Sequence, residues 1–126
     1  MKLLALAAAG GALGAGLRHL VNLSVLRWLG EGFPWATLTV NVVGSMLMGV
    51  VIELIAVRHA GSPELRTFIA TGILGGLTTF SAFSLDVATL IARKEALIAA
   101  VYVFASVGLS LAAFAVGLLS VRSLVT

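Results

Sequence analysis

The chain has no cysteine, which excludes a disulfide framework, a thiolate metal site and a redox thiol. Charge is also scarce: only 10% of residues are Asp, Glu, Lys or Arg, and the 8 basic residues stand singly rather than clustered on one face. A sequence pI of about 10.2 therefore carries no nucleic-acid footprint, and no nucleic-acid partner is expected. The two histidines, His19 and His59, are too far apart to suggest a metal motif. Little remains from which to build a catalytic apparatus that works in water, so an enzyme is not expected.

What fills the chain is apolar. Hydrophobic residues make up 60% and the mean hydropathy is +1.15, well outside the range of soluble globular domains. Four apolar stretches, roughly 3–28, 36–57, 64–91 and 97–121, are each long enough at about 1.5 Å per residue to cross about 30 Å of hydrocarbon. The expected architecture is a single all-α integral membrane domain, 1–126, with four transmembrane helices. The start, Met1 to Ala9, imitates a secretory signal, but reads better as the opening of the first span.

Several features sit along these spans. Gly10 and Gly14 give the first helix a small-xxx-small face suited to close packing. Arg18, deep in the same helix, is either an interfacial anchor or a residue at a watery mouth. Trp28 and Trp35 flank a Gly- and Pro-bearing loop and fit an aromatic belt. In the second span Asn41, Ser45, Gly49 and Glu53 recur every four residues, a stripe that must face protein or water. Packing seam and pore lining are both open for it, and Glu53 reads as a snorkelling interfacial acid. Arg58 to Glu64 is a loop in which Ser62-Pro63-Glu64 predicts a capped helix start. Tyr102, Ser106 and Ser110 form a second polar stripe on the fourth span.

The third span carries the least ordinary stretch, Gly72 to Ser84. Two adjacent glycines weaken a helix by about 1 kcal/mol each, and Thr78 and Thr79 are good N-caps for a helix that restarts behind them. The expectation is a third helix broken near Gly75–Thr78. Backbone freed at membrane depth is tolerated only against protein, water or an ion. Freed carbonyls suit a hard cation, and a restarted helix presents its positive end to an anion. Phe80, Phe83, Ser81 and Ser84 follow on adjacent stripes, offering ring edges and hydroxyls. The plainer alternative is a kink with core aromatics and with serines bonded to their own helix. Asp86, further on, would repel an anion and is expected near the far mouth.

Lys2, Arg58, Arg66 and Arg122 would lie on one side of the membrane and Arg27, Arg93 and Lys94 on the other, with Arg18 nearby. So small a bias permits insertion both ways up, and a four-helix unit could then pair with an inverted copy of itself.

Thr37-Leu38-Thr39-Val40-Asn41-Val42-Val43-Gly44, the stretch Gly75 to Ser84 and an early Gly-Ala-Gly-Leu-Arg ending at Arg18 resemble the Fluc (CrcB) family of fluoride-specific ion channels. The resemblance covers nearly the whole chain. It implies an antiparallel, dual-topology homodimer in the inner cell membrane with two fluoride pores, passive fluoride export, and a structural Na⁺ at the dimer centre. By motif position, the backbone carbonyls of Gly75 and Thr78 would hold Na⁺, and Phe80 and Phe83 would form a phenyl box. Asn41 would donate to fluoride, while Ser81, Ser84, Tyr102 and Ser110 would line its track. Ala82 stands where threonine is usual and Leu109 where glycine is expected, so one hydroxyl of the track is missing. A small dual-topology drug exporter, using Glu53 or Asp86 as its membrane acid, and a non-conducting structural subunit are the rival readings.

Overall fold

The computed structural model describes residues 1–58 and 61–126, and in these the only regular structure is helical. Helix α1 spans Lys2–Leu29 and α2 spans Trp35–Arg58. The third stretch is composite, made of α3 (Pro63–Arg66), a π-helical stretch (Thr67–Leu74), α4 (Gly75–Leu77) and α5 (Phe80–Ala92). Helix α6 covers Ala96–Val125. Four segments are long and apolar enough to cross a membrane: Lys2–Leu29, Trp35–Arg58, Pro63–Ala92 and Ala96–Val125. They match the four stretches expected from hydropathy, the last running about one turn further.

Local chemistry sets the ends. Gly30 takes φ 73°, open to glycine at little cost, and its amide donates to the Leu26 carbonyl at 3.0 Å, closing α1. Ser62 accepts from the Leu65 amide at 3.1 Å with Pro63 behind it, the capped start that the sequence predicts. His59 and Ala60 of the preceding loop lie outside the described residues. The polar turn at Arg93 to Glu95 closes through Lys94 at φ 61°, whose amide donates to the Ile91 carbonyl at 2.9 Å.

Two glycine seams hold the helices together. α1 lies along the π-helical stretch, and a Cβ on Gly10 or Gly14 would run into backbone atoms of Phe68, Gly72, Ile73 or Leu77. α2 lies along α6, where a Cβ on Gly49 would meet the Phe114 carbonyl and one on Gly117 the Met46 carbonyl. Apolar chains cannot be driven together by water in a bilayer, so close backbone approach supplies the packing energy. Most large apolar side chains accordingly point outward, toward lipid. The buried ones form two small clusters, Leu38, Phe83, Leu90, Ala99 and Tyr102 in one and Val40, Leu74 and Leu77 in the other.

The π-helical turns over Thr67–Leu74 have no signal in the apolar pattern. They end where the Gly75 amide donates back to the Ala70 carbonyl, five residues earlier.

Candidate functional site

Helical geometry stops after Leu77. Thr78 (φ −81°, ψ 154°) and Thr79 (φ −153°, ψ 120°) are extended, and α5 begins at Phe80. The glycine pair is not where the backbone departs, since Gly75 keeps helical angles of φ −65° and ψ −34°. Gly76 instead allows contact with Gly11 and Ala15 of α1. The glycines therefore serve packing, and the threonines carry the extended backbone. The Thr78 amide and hydroxyl both donate to the Leu74 carbonyl, at 3.1 and 2.9 Å, ending α4. Thr79 is the N-cap of α5, its hydroxyl accepting from the Ala82 amide at 3.1 Å.

Asn41 reaches across from α2 and satisfies both backbone groups of Thr79. Its Oδ1 accepts from the Thr79 amide at 2.7 Å and its Nδ2 donates to the Thr79 carbonyl at 3.0 Å. In a continuous helix the Thr79 amide would bond the Gly75 carbonyl, and the Ala82 amide would bond the Thr78 carbonyl. Here those amides go to Asn41 and to the Thr79 hydroxyl. All four carbonyls from Gly75 to Thr78 thus lose the amide partners that a continuous helix would give them.

This region opens on a groove of about 520 Å³ between α2, α4, the start of α5 and α6. Asn41, Gly75, Thr78, Phe80, Phe83 and Ser110 all line it. Ser106 lines it too, only 5% exposed, with no hydrogen-bond partner for its Oγ among the described residues. The groove does not take in Ser81, Ser84 or Tyr102.

Compared with known proteins, residues 5–118 match the family model described as CrcB-like protein, Camphor Resistance (CrcB). The chain belongs to the CrcB family. Relatives named fluoride-specific ion channel FluC are close to it in sequence. That of Rhizobium etli (strain CIAT 652) is 54% identical over 119 residues, covering 94% of this chain and 95% of the relative. Those of Rhodospirillum centenum (strain ATCC 51521 / SW) and Rhizobium meliloti (strain 1021) are 50% and 49% identical over 125 residues, each covering 99% of this chain and 99% and 100% of the relative. This CrcB-family chain is a multi-pass membrane protein.

The aromatic pair of this CrcB-family chain is asymmetric. Phe80 is 76% exposed and Phe83 9%, with ring centroids 5.3 Å apart and planes tilted by 43°. Phe83 also lies 5.3 Å from the ring of Tyr102, which is fully buried. The Tyr102 hydroxyl donates to Asp86 Oδ2 at 2.9 Å. Asp86 therefore touches one of the expected track residues, and it also lines a second cavity of about 400 Å³ with Thr37 and Arg93. Ser81 lies 3.2 Å from the Thr79 hydroxyl, whereas Ser84 donates to the Phe80 carbonyl of its own helix at 3.0 Å.

The reading of Glu53 as a snorkelling interfacial acid is corrected. Its carboxylate is buried and takes two bonds from Arg122, Nε to Oε1 at 2.9 Å and Nη2 to Oε2 at 3.3 Å. No sequence signal joined these residues across the fold, although Glu53 completes the Asn41 stripe. That stripe divides, since Asn41 and Ser45 line the groove while Gly49 packs on α6. Among the described residues no three His, Asp or Glu side chains gather to hold a metal.

Proposed function

We propose that this chain is a fluoride-specific ion channel subunit that lets fluoride leave the cell passively, down its electrochemical gradient. Its working form is an antiparallel, dual-topology homodimer with two pores and a structural Na⁺ at the centre. The observation that carries this reading is the Asn41 clamp on an extended Thr78–Thr79 backbone, facing a groove that offers donors but no cation. The names of the relatives supply the ion.

Fluoride is small and holds its water tightly, so a path for it must replace that water with several donors in a setting where each counts for more than in bulk. The second amide hydrogen of Asn41 and the hydroxyls of Ser106 and Ser110 are such donors. Ser81 extends the track along α5, Ser84 joins it only by releasing the Phe80 carbonyl, and the electropositive ring edges of Phe80 and Phe83 complete it. Tyr102 joins the track only by releasing Asp86. A lysine in the groove would hold any anion too tightly to let it go, and none lines it among the described residues.

The break in the third helix is the second part of the proposal. Gly75 and Thr78 carbonyls are hard oxygen donors of the kind that unwound membrane helices offer to Na⁺. One chain supplies too few to enclose an ion, and an inverted copy would supply the rest. Sodium there would fix the two subunits together and take no part in conduction.

The drug-exporter reading needs an unengaged acid in the membrane. Both candidates are occupied, Glu53 by Arg122 and Asp86 by Tyr102. Efflux from vesicles containing the purified protein, followed with fluoride and chloride electrodes, tests the proposal. Fast, voltage-driven, proton-independent release of fluoride and not chloride is expected. Equal chloride release, or proton-coupled cation uptake, would falsify it.

A further inference from the structure

The channel reading leaves one buried titratable group unused. Glu53 has a side chain only 8% exposed, whereas that of its partner Arg122 is 56% exposed. α2 carries no charged residue before Glu53, and α6 carries none before Arg122. The pair is thus the first full charge met along either helix from the groove. It lies about two turns beyond Phe114, where the groove ends on α6. Between groove and pair the helices touch through Gly49 and Gly117, and the Arg122 guanidinium stands exposed beyond that contact.

The two charges alone would act in opposite senses. A free guanidinium at a mouth concentrates anions and slows their departure, whereas a free carboxylate repels them. Joined in a bidentate pair, they cancel. We propose that Glu53 and Arg122 form a charge-neutral collar at one mouth of the fluoride path, where Glu53 keeps Arg122 from trapping or recruiting the anion. The proposal rests on the channel reading. The exposed Lys2–Glu64 pair, at 3.4 Å, and the cations Arg58 and Arg66 share that end of the bundle and stay unchanged in the test.

Fluoride efflux from potassium fluoride vesicles with a potassium ionophore is measured for Glu53→Gln, Arg122→Gln and the double variant, at low and high ionic strength. Glu53→Gln keeps the side-chain size, and it should lower the fluoride concentration for half-maximal flux by about threefold or more at low salt, with the shift fading as salt screens it. Arg122→Gln should move it the opposite way, and the double variant should return close to wild type. A merely structural pair would lose stability in the single variants without opposite, salt-dependent shifts. If Arg122→Gln does not reach the membrane, Glu53→Gln decides alone. Shifts of one sign in both variants, or none in Glu53→Gln, would overturn the collar while leaving the channel intact. Wild-type vesicles that retain their fluoride would overturn the channel reading and this proposal with it.

Discussion

Replacing Asn41 with alanine removes both partners of the Thr79 backbone at once. Thr79 is only 8% exposed, and its extended conformation gives its amide and carbonyl no helical alternative. A buried backbone group left unsatisfied costs about 1–3 kcal/mol. Hydrogen bonds between membrane helices average only about 0.6 kcal/mol, because the unfolded chain also finds partners in lipid. Two bonds of 2.7 and 3.0 Å to one buried residue belong toward the upper figure, so Asn41→Ala should destabilise the fold by about 2–4 kcal/mol. Reversible unfolding in mixed detergent micelles measures this directly. Asn41→Asp keeps an acceptor for the Thr79 amide but turns a second oxygen toward the Thr79 carbonyl. It should therefore cost stability and, by placing negative charge in the groove, also lower fluoride efflux. An Asn41→Ala unfolding free energy within about 0.5 kcal/mol of wild type would refute the clamp. Wild-type efflux in Asn41→Asp would remove this position from the fluoride path.

Three other outcomes follow from the same geometry. Phe80→Ile or Phe83→Ile should cut fluoride efflux by about tenfold or more while size-exclusion elution is unchanged, because an aliphatic side chain has no electropositive edge. Undiminished efflux in both variants would exclude the rings from the path. Gly14→Ala should destabilise by about 1–3 kcal/mol, since its Cβ would meet backbone that cannot swing aside. Gly11→Ala, whose Cβ would point into open space, should be neutral or slightly stabilising in the same unfolding assay. Exchanging all Na⁺ for a large organic cation should weaken the proposed dimer, read as dissociation on dilution in detergent. A dimer equally stable without sodium would argue against carbonyl coordination at Gly75 and Thr78.

Hydropathy alone placed four spans, and cap chemistry alone placed the start of α3 at Ser62, because both depend on residues close together in the chain. The N-cap of α5 at Thr79 was also legible, whereas the role of the glycines before it was not. Their weak helix propensity suggests a break, whereas Gly75 stays helical and Gly76 serves contact with α1. Propensity is a local quantity, and the contact that decides these glycines comes from α1, far away in sequence. The π-helical turns before them left no mark on the apolar pattern for a related reason, since the only two hydroxyls of that segment, Thr67 and Thr71, are four residues apart and fit ordinary α-helical spacing.

Composition by itself determined that this chain lives in a bilayer, since 60% hydrophobic residues cannot be hidden inside a domain of this size. Spacing by itself determined which polar residues lie on common faces of α2 and α6. Only the tertiary structure decided what those polar residues do. It turned Asn41 toward Thr79, gave Asp86 to Tyr102, joined Glu53 to Arg122 and left Ser106 without a partner among the described residues. A polar group in lipid must find a partner somewhere, but helical periodicity fixes only the direction in which it looks. Which group meets it is set by how closely the glycine seams bring one helix to the next.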